Sequence, residues 1–356
     1  MTTLVLTLRE SLRYRGAIGQ WSWLLHRLSG LGVVLFIVLH VVDTSWAVFY
    51  PPLYEEAIKT YQSPLFTLGE FALVASVVYH AFNGLRVAFF DYRPQLWRHQ
   101  GRAAVGVLLL SGLLLTPVFV LMFGHVLDFY NEEAFVLPLE EVIRAQLPFL
   151  GGFALAGIAA LLLAGLHSLV AGRGSQTALS ASSERFWWLY MRISGVLILP
   201  LVFGHLGMMH VVQGVFDISA AEHLAVGASE GQVGVNATGT AVEFVHDRWS
   251  TFIGPLAIWR LYDFALLVLV VIHGFNGLRG VLWDYLHHPL AKRAALYLCL
   301  IAALVLLALG GGALVIGIDE AAIDEASRAL CEIRQTHGAT LEELVELGCE
   351  EFGETS

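Results

Sequence analysis

The stretch HAFNGLRVAFFDY at 80–92 returns as HGFNGLRGVLWDY at 273–285, with eight of thirteen positions identical. Self-similarity at a fixed offset, here 193 residues, marks a duplicated structural unit. Outward from that core, Arg27-x-Ser29-Gly30 recurs as Arg192-x-Ser194-Gly195, and His40 recurs as His205, all at an offset of 165. The 28-residue difference between the offsets falls in the segment 217–257, which predicts a longer loop in the second half.

The duplicated unit is written in apolar residues. They make up 57% of the 356 residues, charged side chains only 14%, and mean hydropathy is +0.69. Residues 103–127, 145–172, 193–216 and 294–318 contain no Asp, Glu, Lys or Arg, each a run of about the 20 residues that cross a bilayer. The patterning predicts an all-α membrane protein with seven transmembrane helices near 24–48, 65–90, 103–127, 147–172, 186–216, 258–284 and 294–317. The opening MTTLVLTLRESLRYRG has no apolar core long enough for a cleavable signal, so the N-terminus reads as retained and cytoplasmic.

With the N-terminus inside, 14 of the 20 Lys and Arg fall in inner segments, which is the positive-inside arrangement. Seven spans put the acidic tail from Asp319 outside, in a compartment that permits disulfides. Cys331 and Cys349 are there either a bridge or two thiols. Each repeat holds three helices. An odd number would invert the second copy, so the fourth span reads as a linker that makes the repeats parallel. The expected organisation is a first repeat over 1–128, an outer loop and linking helix over 129–184, a second repeat over 185–318, and an extracytoplasmic tail over 319–356. No C-x-x-C-H or paired C-x-x-C occurs, which leaves covalent haem, iron–sulfur clusters and zinc unsupported.

Histidines inside a span are costly and functional by default, although a single one often only bonds a neighbouring helix. Here they come in matched pairs. His80 and His273 each lie six residues before an inner-boundary arginine, about 9 Å deep at 1.5 Å per residue. His40 and His205 each lie thirteen residues beyond Arg27 and Arg192, about 20 Å into a core of about 30 Å. Each pair has the depth match that bis-imidazole haem ligation needs. His210 competes with His205 on the same helix. His26, Arg86 and Arg279 sit near the inner surface, where haem propionates need cations. His125 and His167 have no repeat partners and read as structural.

These residues carry a resemblance. L-H-R-L-S-G at 25–30 looks like the first-helix signature of the cytochrome b anchor subunits of succinate dehydrogenase. His273-x3-Gly277-x6-Asp284-Tyr285 resembles the haem helix of the small anchor subunit, and His80-x3-Gly84-x-Arg86 that of the large one. The chain therefore looks like both subunits fused, over roughly 20–100 and 185–290. The resemblance implies two haem b groups, a quinone substrate (menaquinone in two-haem relatives), and flavoprotein and iron–sulfur partner subunits on the cytoplasmic side of a prokaryotic plasma membrane. It implies a quinone site of Arg27, Asp284 and Tyr285, with Ser22 and Trp23 beside it. Trp23 departs from the family, which commonly has serine three residues before the motif's histidine. Nucleic acid is not expected as a partner. The chain has no dinucleotide fingerprint and is not expected to oxidise succinate by itself.

Two rival readings are an anchor for a fumarate reductase or another quinone-linked dehydrogenase, and a proton-coupled transporter using the histidines as relays. Against the transporter, neither repeat has a broken midspan, and Pro117, Pro148 and Pro200 form no repeat pairs.

Overall fold

The computed structural model describes residues 16–61, 64–132, 144, 147–170, 181–209, 236, 238–250, 252–253, 255–336 and 349. Among the described residues, seven helices are long and apolar enough to cross a membrane. They are α1 (Ile18–Phe49), α3 (Pro64–Tyr92), α4 (Gln100–Glu132), α5 (Leu147–Val170), α6 (Ala181–Gly207), α8 (Ile258–Tyr285) and α9 (Pro289–Ile316). Three shorter helices, α2 (Pro51–Tyr61), α7 (Ala241–Trp249) and α10 (Glu320–Thr336), accompany them. A two-residue antiparallel ladder pairs Phe252 with Ala257 and Ile253 with Leu256. In lipid the backbone must satisfy its own hydrogen bonds, so uncharged runs of this length have no alternative to helix.

Proline and glycine set the breaks. Pro51 forces Tyr50 out of the helical region and opens α2 at its first position. Pro94 likewise follows α3, and Pro289 opens α9 behind a His288 side chain that accepts from Leu290 N. Gly317 ends α9 at φ 75°, where a Cβ would also stand 2.6 Å from the Arg260 guanidinium. The fifth span ends as α-helix at Gly207, earlier than the expected 216, and widens into a π-type turn at 208–209. Residues 210–216 lie outside the described ones.

The duplicated helices form a ring. α1 packs on α3, α3 on α6, α6 on α8, and α8 back on α1. Helix α1 therefore faces α6 across the ring, and α3 faces α8. The third helix of each repeat stacks outside, α4 on α3 and α9 on α8, while the linking helix α5 packs on α9. His167 of α5 bonds Tyr297 there at 2.8 Å, and Arg293 donates to Ser168 at 2.8 Å, so the linker is docked by polar contacts. Large apolar side chains such as Leu113 and Leu169 stand outward, where lipid takes the place of a protein core.

The densest core lies at one end of the bundle. There α2, α7 and α10 meet the ends of α1, α8 and α9 around Ala47, Tyr54, Val242, Phe244, Ala313 and Ala326. Cys331 and Cys349 are joined as a disulfide in this cap, the first of the two readings left open by the sequence. Cys299 is a buried free thiol in α9.

Candidate functional site

The ring brings the four paired histidines onto diagonally opposed helices: His80 on α3 and His273 on α8, His40 on α1 and His205 on α6. His80 and His273 stand at matching positions of the repeat, on α3 and α8. Their surroundings repeat. Ser194 donates to Tyr190 O at 2.7 Å, so its oxygen is left to accept from His273 Nδ1 at 2.8 Å. His80 Nδ1 donates to His26 O at 3.0 Å, with Ser29 Oγ 3.4 Å away. In both rings the proton is thereby assigned to Nδ1, and Nε2 carries the lone pair that a metal needs.

This accounts for the R-x-S-G motif. The serine orients the histidine of its own repeat, and in the first repeat the glycine makes room for it. A Cβ on Gly30 would stand 2.8 Å from His80 Cε1, and one on Gly195 would stand 3.4 Å from His273 Cε1. Gly84 and Gly277 face His26 and Met191 instead, two residues at equivalent repeat positions. The halves differ at this point: the His26 ring stacks on His80 with centroids 4.1 Å apart, and the second half offers an apolar thioether.

The His40 and His205 rings meet with centroids 6.2 Å apart and planes at 79°. His205 Nδ1 faces Asp263 Oδ1 at 3.5 Å. Asp263 is held in turn by Arg248 Nη2 at 2.7 Å and Trp249 Nε1 at 3.2 Å. A carboxylate behind an imidazole fixes its ring and raises its basicity as a ligand. Asp263 was not singled out from the sequence, although Glu70 precedes it at the same 193-residue offset. His210 lies outside the described residues.

Two of the residues expected to meet propionates have unspent capacity: His26 Nδ1 and Arg86 Nε are buried without a hydrogen-bond partner in the chain, whereas Arg279 Nη1, also without a hydrogen bond, faces Glu184 Oε1 in an ion pair at 3.5 Å. Arg86 otherwise donates to Ser22 Oγ at 3.1 Å and Gln100 O at 3.3 Å. Arg279 donates to Asn276 at 3.2 Å and lies 3.5 Å from Glu184. Buried donors without partners are costly, so a bound anion there has an energetic rationale. No group of three or more His, Cys, Asp or Glu converges among the described residues.

At the edge between α1 and α8, Arg27 is ion-paired with Asp284 and lies 4.1 Å over the Trp23 ring. Tyr285 is exposed beside them. Ser22 is apart from this group, buried in a network with Asn83 Oδ1 (2.8 Å), Tyr79 and Arg86. The repeat has a second such edge. Arg192 pairs with Asp91 at 2.6 Å and lies 4.0 Å over Trp188, with Tyr92 exposed beside it, between α6 and α3.

Seven apolar helices, with matched histidines across a four-helix ring, define a multi-pass all-α membrane protein. A sequence model of the succinate dehydrogenase/fumarate reductase transmembrane subunit matches residues 7–119 and 175–309, most of the chain and in two separate stretches. The chain belongs to that family. It is 40% identical over 87 residues to the succinate dehydrogenase 2 membrane subunit SdhC of Mycobacterium tuberculosis, covering 24% of this chain and 64% of that protein. It is 27% identical over 97 residues to the succinate dehydrogenase hydrophobic membrane anchor subunit of Halobacterium salinarum, covering 27% of this chain and 74% of that one. No solved structure matches.

Proposed function

We propose that the chain is the di-haem cytochrome b anchor of a succinate:quinone oxidoreductase, built as two parallel three-helix repeats and passing electrons from a partner iron–sulfur subunit to quinone. The observation that carries this reading is the pair of diagonal histidines, His80 and His273, each with Nδ1 engaged by its own repeat. Haem b held at such a pair supplies one-electron transfer between the partner and the quinone. His80 and His273 hold the inner group, with His26, Arg86 and Arg279 placed for its propionates. His40 and His205 hold the outer group, with Asp263 orienting His205.

The quinone headgroup rests at the α1/α8 edge. Trp23 and the Arg27 guanidinium form a flat wall suited to a planar ring, and Asp284 keeps Arg27 from swinging away. Tyr285 donates its hydroxyl to a quinone carbonyl, and Arg27 stabilises the negative charge that develops as the ring is reduced. Ser22 acts one step removed, through the network that anchors Arg86. Menaquinone is the favoured quinone. The flavoprotein and iron–sulfur partners dock on the cytoplasmic side of a prokaryotic plasma membrane, where the N-terminus also lies, and the C-terminus is extracytoplasmic.

Haem content per chain, measured by pyridine haemochrome on the detergent-purified complex, tests the proposal. Two b haems support both histidine pairs. One keeps the inner pair and removes the role given to His40 and His205. None returns the matched histidines to the proton-relay reading.

A further inference from the structure

We infer that the chain carries a second quinone-binding site, at the α3/α6 edge of the ring, made by Arg192, Trp188, Asp91 and Tyr92. The inference rests on the α1/α8 edge being a quinone site, and extends it through the duplication. The four residues are the repeat images of Arg27, Trp23, Asp284 and Tyr285 at offsets of 165 and 193.

The likeness extends from sequence to geometry. Each arginine lies over the tryptophan four residues before it, 4.1 Å from the ring centroid at one edge and 4.0 Å at the other. Each is ion-paired with an aspartate from the other repeat. Each aspartate is followed by an exposed tyrosine, Tyr285 at 62% and Tyr92 at 76%. Both edges therefore offer one guanidinium, one phenol donor and one indole face to a planar dione. The edges lie on opposite sides of the four-helix ring, so occupancy of one leaves the other open.

The bland alternative is a structural clamp, in which Arg192 and Asp91 only tie α6 to α3. A clamp needs the ion pair. It has no use for the Tyr92 hydroxyl, which takes no part in that pair; the Tyr92 ring itself packs against the Arg93 guanidinium, 5.4 Å away.

Photolabelling of the intact purified complex separates the two. The probe is a 1,4-quinone bearing an aryl azide and a short isoprenoid tail, with labelled peptides located by mass spectrometry. Label on the segments around both Tyr285 and Tyr92, each displaced by excess unlabelled quinone, is the expected result. Tyr92→Phe, which leaves the ion pair intact, should cut the Tyr92-segment label at least fivefold and spare the other. Trp188→Leu supplies a second test on the same segment. Displaceable label at the Tyr285 segment alone overturns this inference and leaves the proposed function standing. Label at neither overturns both. Label at the Tyr92 segment alone supports the second site and overturns the assignment of the first. Label that excess quinone does not displace counts as no label.

Discussion

Arg192 on α6 donates through Nη2 and Nε to Asp91 Oδ2 on α3, at 2.6 and 3.1 Å, and so repeats in the second half what Arg27 does with Asp284 in the first. In each pair the arginine comes from one repeat and the aspartate from the other. Such an exchange is the signature of a two-fold-related interface, where residue i meets j and j meets i. Here both halves of the interface lie on one chain, so the ring is closed by two reciprocal ties.

The tie between Arg192 and Asp91 should contribute measurably to the bundle. Both side chains are partly buried, at 29% and 19% exposure, which places the pair above an open surface bridge. A double-mutant cycle of Asp91→Asn and Arg192→Gln, read by thermal unfolding in detergent, should give a coupling of about 1 kcal/mol. A coupling indistinguishable from zero would show that this ion pair adds nothing to the packing of α6 on α3.

Glycine substitutions should discriminate between the halves. Gly30→Ala puts a methyl 2.8 Å from His80 Cε1, inside any real contact distance, whereas Gly195→Ala leaves 3.4 Å to His273 Cε1. The first should displace the His80 ring and lower haem content sharply. The second should assemble with near-normal content. Equal loss in both variants, by haemochrome assay, argues against the ring position described for His80.

On the proposed di-haem reading, Asp263 should tune the haem assigned to His40 and His205 and not the other. A carboxylate behind His205 increases electron donation to a metal, so Asp263→Asn should raise the midpoint potential of one haem and leave the other in place. Redox titration of the α-band resolves the two. His40→Ala and His205→Ala should each abolish that same component, and His80→Ala and His273→Ala the other. A potential unmoved by Asp263→Asn removes the orienting role.

Much of this was legible because the duplication supplies an internal check. The offsets of 165 and 193 match the histidines in pairs, and long uncharged runs mark four of the seven spans outright. The Arg192–Asp91 pair was legible too, since both residues stand inside repeated motifs, but a charge at an inner boundary reads first as a topology signal. The serine and glycine of R-x-S-G gave no sign of their target, because they act on a histidine some 50 to 80 residues away in sequence. The cap was least legible. Its helices are short, and the contact that joins them, from Val242 N to Glu55, spans 187 residues with no pattern to announce it.

That contact yields a prediction with a definite sign. Glu55, 3% exposed, accepts from Val242 N at 2.9 Å and thereby satisfies an orphan amide in the first turn of α7. Burial pushes its carboxyl up from 4.5 to about 7, against the opposing pull of the Val242 and Ala241 amides. The folded cap therefore binds the proton more tightly than the unfolded chain does. The contribution of Glu55 to stability is greatest below about pH 4.5, falls as pH rises from there through about 7, and is flat above. Glu55→Gln keeps the acceptor oxygen and cannot ionise, so the variant should lose this slope and exceed the parent in stability above pH 7. Amide hydrogen exchange in α7, followed across that range in parent and variant, reads the difference directly. An identical pH slope in the two proteins would place the titration elsewhere in the cap.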